Sequence, residues 1–80
     1  MAQIDLSKIK KIEKNRNVVH EKVFSTYTVF ENSKEKYFQI DTYGRVGRDM
    51  PEKLSQSLQL NKESAKYLVD LLVEEFKLEL

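Results

Sequence analysis

Three aromatic rings, Phe30, Tyr37 and Tyr43, are interleaved with five cations, Lys34, Lys36, Arg45, Arg48 and Lys53. Flat rings stack on unstacked bases at about 1 to 3 kcal/mol per base, while flexible cations neutralise phosphates. Short hydroxyl and amide side chains, Thr26, Thr28, Gln39, Ser55 and Ser57, recur among them at alternate positions. In extended chain such spacing gathers them on one face. The chemistry on offer is the holding of a single nucleic-acid strand, since a duplex presents no open base faces.

Bond-breaking chemistry is poorly provided for. The one histidine, His20, has no partner nucleophile or ligand set at a suggestive spacing and reads as a surface or edge residue. Asp41, Asp49 and Glu52 do not follow a metal-ligand spacing. Gly44-Arg45-Val46-Gly47 lacks the length and the lysine of a phosphate-cradling loop and reads as a turn. With no cysteine, thiolate nucleophiles, thiolate metal sites and disulfides are excluded. The expectation is a protein without enzymatic activity, cofactor or metal.

At 80 residues the chain is one small domain, and such domains bury only roughly 60% of their unfolded surface. A second copy would relieve that shortage. Forty per cent hydrophobic residues suffice for a core. No run approaches the roughly 20 apolar residues of a membrane span, and no export leader is evident. A soluble, cytoplasmic protein is expected. The net charge of +1 is uneven. Residues 1–22 carry six Lys/Arg against three Asp/Glu, residues 23–53 five against five, and residues 54–80 three against five. An anionic partner should therefore meet the N-terminal arm or the sheet rather than the last helix.

The elements that must position these groups follow from periodicity. Residues 1–17 form a basic arm, in which Asp5 or Ser7 could cap a short helix carrying Leu6, Ile9 and Ile12. The arm is either solvated or in contact with phosphate. Residues 18–30 read as one long strand, or two broken near residues 20–22. Val19, Val23, Tyr27 and Val29 would share one face and Phe24, Thr26, Thr28 and Phe30 the other, and periodicity leaves open which is inward. Residues 31–36 are a hairpin loop. In the next strand Phe38, Ile40 and Thr42 face inward, and Tyr37, Gln39, Asp41 and Tyr43 outward. Residues 44–53, with both glycines and the only proline, form a loop. Leu54, Gln56, Leu58 and Leu60 then alternate with Ser55, Ser57 and Gln59.

Asn61 is placed to cap a last helix in which Ala65, Leu68, Val69, Leu72, Val73 and Phe76 form an apolar stripe for the sheet. Tyr67, Leu71 and Leu78 form a flanking line, read as a homodimer contact, a widened core face or scattered exposed apolar residues.

The order of a hairpin, Phe38-Gln39-Ile40-Asp41-Thr42-Tyr43-Gly44, a basic loop with Pro51, Leu54-Ser55-Gln56-Ser57-Leu58-Gln59-Leu60-Asn61 and an amphipathic helix resembles the positive-cofactor-four family of transcriptional coactivators. The resemblance covers residues 23–76. Its most specific part is the strand ending Leu58-Gln59-Leu60-Asn61-Lys62-Glu63 directly before the helix. It implies an α+β fold with a four-stranded curved antiparallel sheet, a C-terminal helix that forms homodimers, and single-stranded DNA held on the strands and loops. By the same resemblance Phe30 corresponds to a stacking aromatic, Lys34 and Lys36 to basic hairpin residues, and Lys53 to a cation beyond the loop proline. Two departures are plain: Gly44 stands where the family has tryptophan, and Ser55 and Gln56 stand where it has cations.

Together these readings predict a basic arm over residues 1–17 and a nucleic-acid-binding domain over residues 18–80. They predict largely sequence-independent binding of single-stranded DNA, with a homodimer through the last helix. RNA binding, or a protein-interaction module on the same fold, is the alternative. The resemblance points to service in transcription, replication or recombination, beside a protein of one of those processes.

Overall fold

A computed structural model describes residues 1–44 and 53–80. The elements are β1 (Ala2–Gln3), a single 3-10 turn (Leu6–Lys8), β2 (Ser25–Glu31), β3 (Lys36–Tyr43), β4 (Leu54–Leu60) and α1 (Lys62–Phe76). They form one four-stranded sheet, ordered β1-β4-β3-β2, with a C-terminal helix. The class is α+β, as anticipated.

The sheet is mixed rather than wholly antiparallel. β2, β3 and β4 run antiparallel, but the fourth strand is β1, which pairs in parallel with Leu58 and Gln59. Two residues are too few to leave a periodic signal, so sequence patterning does not reveal this strand. The strand anticipated over residues 18–30 begins only at Ser25. β3 ends at Tyr43, whose amide donates to the Phe24 carbonyl at 3.0 Å. The described ladder between β2 and β3 ends at that bond.

The hairpin between β2 and β3 is tighter than residues 31–36, because Glu31 and Lys36 already pair. Asn32 closes it: its Oδ1 accepts the amides of Lys34 and Glu35, both at 2.8 Å. Such side-chain mimicry of a backbone turn is why asparagine favours these positions. The short N-terminal helix is reduced to the 3-10 turn. Asp5 caps it by accepting from the Ser7 hydroxyl at 2.7 Å and the Ser7 amide at 3.0 Å. Those two bonds, the hydroxyl first, hold the Asp5 carboxyl below its ordinary 3.8. The arm then passes along α1, where Lys11 meets Glu75 at 3.7 Å.

α1 starts as its cap predicts. Asn61 Oδ1 accepts the Ser64 amide at 2.9 Å, and Ser64 Oγ accepts the Asn61 amide at 2.9 Å, a reciprocal capping box. Serine, not the more usual Glu or Gln, fills its third position, and Ser64 is only 1% exposed. At the other end Lys77 adopts the left-handed conformation with φ of 55°, while the Leu78 amide bonds to the Val73 carbonyl at 3.1 Å. The chain reverses there as at a Schellman terminus. No helix among the described residues is long and apolar enough to cross a membrane.

Alternation along the strands sorts the two faces of the sheet, and the register resolves the ambiguity in β2. Tyr27 lies opposite Ile40 and Val29 opposite Phe38, which is in turn opposite Leu60. These residues line the helix side, together with Leu58. Burial there is slight: among the described residues Leu60, 7% exposed, is the one buried apolar side chain. The helix stripe packs less fully than its period implies. Ala65, Leu68 and Val73 are half-buried, whereas Val69, Leu72 and Phe76 stand exposed, Phe76 by 70%. The chain exposes 7777 Å², against about 5,000 Å² for a compact monomer of its mass.

Two outcomes test these local arguments. Asn61→Ala removes the acceptor of the capping box and should lower unfolding free energy by about 1 kcal/mol in urea denaturation. Because the Asp5 carboxyl is held below 3.8 in the folded chain, the turn it caps is favoured above that pH and lost as pH falls through the lowered value. An NMR titration should show the Ser7 amide shift following that same protonation step.

Candidate nucleic-acid interface

The face opposite α1 carries the even positions of β2 and the odd positions of β3. Thr28 lies across from Gln39, Phe30 across from Tyr37, and Thr26 across from Asp41. On the other side of β3, Gln59 lies opposite Gln39 and Ser57 opposite Asp41. A polar ladder therefore crosses the sheet. Gln59 Nε2 donates to Gln39 Oε1 at 2.7 Å, and Gln39 Nε2 donates to Asp41 Oδ1 at 2.9 Å. Ser57 Oγ donates to the same Asp41 oxygen at 2.5 Å. Gln3, opposite Gln59, continues the row into β1. Met1, Ala2, Gln3, Gln39, Ser57 and Gln59 enclose a shallow hollow of about 270 Å³.

Along β2 and β3, aromatic pairs flank this polar row on either side. At the hairpin end the rings of Phe30 and Tyr37 stack with centroids 5.4 Å apart. Tyr37 is further fixed by its hydroxyl, which donates to Glu35 at 3.0 Å, while Asn61 Nδ2 holds the other Glu35 oxygen at 3.3 Å. At the far end Phe24 and Tyr43 meet at 5.4 Å in a tilted arrangement. The Tyr43 hydroxyl shares a hydrogen bond with Thr26 Oγ1 at 3.1 Å. Tyr37 and Tyr43 are six residues apart on β3, roughly 20 Å at about 3.3 Å per residue.

Of the residues singled out in the sequence, Thr26, Thr28, Phe30, Tyr37, Gln39, Tyr43 and Ser57 meet on this face. Others do not join it. Lys36 has the parity of Phe38 and lines an apolar groove of about 310 Å³ with Val29, Phe38, Leu60 and Ala65. It therefore belongs to the helix side. Ser55 falls where the register slips between Thr42 and Tyr43, so it has no residue opposite, and Leu54 comes to face Tyr43 instead of continuing the Leu58 and Leu60 row. Lys34 is exposed in the hairpin turn and Lys53 is exposed just before β4. Arg45 and Arg48 lie outside the described residues.

The candidate site also holds residues not selected from the sequence: Phe24, Asp41, Gln59 and Gln3. Asp41 and Gln59 were legible as outward by alternation, whereas the face of Phe24 was left open. Asp41 matters most, because it places a carboxylate at the centre of the platform. His20 instead lines a broad hollow shared with Val18, Val23, Tyr43, Gly44 and Gln56. On the helix side Tyr27 and Phe38 stack at 5.3 Å.

Asp41 is the hub of the ladder, its Oδ1 accepting from both Gln39 and Ser57. Asp41→Asn keeps an oxygen for both donors and should change stability by less than about 1 kcal/mol. Asp41→Ala strands the half-buried Ser57 and Gln39 donors and should cost about 1 to 3 kcal/mol in urea unfolding. No family model matches the chain, and neither does any curated protein or solved structure.

Proposed function

We propose that this chain binds single-stranded DNA, largely without regard to sequence, on the open face of its sheet. The observation that carries the reading is the pair of aromatic couples, Phe30 with Tyr37 and Phe24 with Tyr43, standing at the two ends of β2 and β3 with the polar row between them. Bases unstacked from a single strand stack on such rings, while amides and hydroxyls between them bond to base edges of any kind. Phosphates must avoid Asp41. They therefore run along the rims, where Lys34 and Lys53 mark the two ends of the platform and Arg45 and Arg48 follow Tyr43 in sequence. Resemblance to the positive-cofactor-four family supports the same reading and suggests service in transcription, replication or recombination.

The second copy belongs to the proposal. Val69, Leu72, Phe76 and Leu78 are exposed apolar residues of one terminal segment. Tyr67, beside the half-buried Leu71, extends them into the line read from sequence as a dimer seam. A homodimer through α1 covers this surface and offers two platforms to one strand. Asp41 gives specific support to a second reading, in which the same face takes a polypeptide, since a central carboxylate suits backbone amides as well as base edges.

Fluorescence anisotropy with labelled single-stranded and duplex DNA and RNA at two salt concentrations separates these readings. Single-stranded DNA should bind at low salt and weaken as salt rises, because phosphate neutralisation releases counterions. Phe30→Ala and Tyr43→Ala should each weaken binding roughly tenfold, given about 1 to 3 kcal/mol per stacked base. Asp41→Asn should tighten it. Absence of binding at low salt defeats the proposal, and tighter binding of RNA or duplex redirects it.

A further inference from the structure

β2 is an edge strand: β3 lies on one side and, among the described residues, no strand lies on the other. The Phe24 carbonyl accepts from the Tyr43 amide, and bonded and non-bonded residues alternate along an antiparallel pair. The backbone groups of Thr26, Thr28 and Phe30 therefore face β3. Those of Ser25, Tyr27, Val29 and Glu31 point outward. Natural edges are guarded by lysine, proline, bulges or a covering segment. Residues 25–30 contain no charge and no proline, and their register with β3 is unbroken. Tyr27 is 69% exposed and Val29 50%.

We propose that β2 pairs antiparallel with β2 of a second copy, across a two-fold axis through Thr28, fusing two sheets into one. In this register Tyr27 lies opposite the partner's Val29, Thr26 opposite the partner's Phe30, and Ser25 opposite the partner's Glu31. Thr28 meets the partner's Thr28. Outward backbone groups then meet outward groups over the whole strand, whereas moving the axis to Tyr27 or Val29 shortens the ladder. No like charges face each other, which in an antiparallel pair would be destabilising.

The strand is its own complement, and this argues for a second copy rather than an unrelated protein. A two-fold contact is isologous, so each β2 edge is taken up by one partner edge and leaves no free strand. The contact is independent of the proposed α1 seam, because α1 touches β3 and β4 but not β2. It joins the two open faces, setting Thr26, Thr28 and Phe30 of both copies side by side.

The absence of native cysteine makes a direct test available. A two-fold through Thr28 puts the paired Cβ atoms about 4.5 to 5.5 Å apart, within reach of a disulfide after slight adjustment. Position 26 is roughly 13 Å from its own copy, four residues along at about 3.3 Å each. After mild oxidation, Thr28→Cys should run at twice its mass on a non-reducing gel, at least tenfold more than Thr26→Cys. Cross-linking at neither position, at both equally, or at 26 in preference overturns the proposal. Tyr27→Pro removes an outward donor without touching a β3 bond and should lower the mass measured by light scattering by at least half. An unchanged mass there is equally fatal.

Discussion

Scarcity of buried apolar surface governs this structure. One sheet layer and one helix must share a core in which Leu60 is the one buried apolar side chain among the described residues. At about 25 cal/mol per Å² of apolar area removed from water, half-covered residues such as Phe38, Leu58 and Leu68 supply only part of what ordering the chain requires. Directional bonds carry an unusual share of the local order. The capping box, the Asn32 turn, the Asp5 turn and the ladder centred on Asp41 each fix a segment that packing alone holds loosely.

The same scarcity separates the two faces of the sheet. On the helix side the exposed apolar groups, Tyr27, Val29, Ile40, Leu72 and Phe76, are unfinished core. On the other side the polar ladder is already satisfied within the chain, so its surface needs no cover to be stable. A face that is stable while open is free to take a ligand, and a face that is costly while open favours assembly. The proposed roles of the two faces follow from that difference in energetics rather than from composition, which is aromatic on both.

Legibility in the sequence followed the length of each signal. The alternation of Tyr37, Gln39, Asp41 and Tyr43 against Phe38, Ile40 and Thr42 was readable over a whole strand, and Asn61 as a cap was readable because its acceptor is required at one position. β1 was not readable, since two residues carry no period, nor was the bulge at Ser55, since a register slip is a property of the pair. Lys36 shows the cost of counting cations without parity: one step along the strand moves a side chain to the other face. The helix stripe was correctly periodic, yet period tells which residues could be covered and not how far the sheet extends to cover them.

β1 has a bearing on how the chain reaches this state. Its pairing of Ala2 with Leu58 closes a loop of more than fifty residues for a ladder two residues long, whereas the hairpin of β2 and β3 closes over four. Contacts between near neighbours form early, and distant ones must first overcome loop-closure entropy. The hairpin, then β4 with its capped helix, can therefore assemble before the N-terminal residues arrive. β1 is the last strand in and the first out, so the row through Gln3 is the part of the platform that opens soonest when the protein breathes.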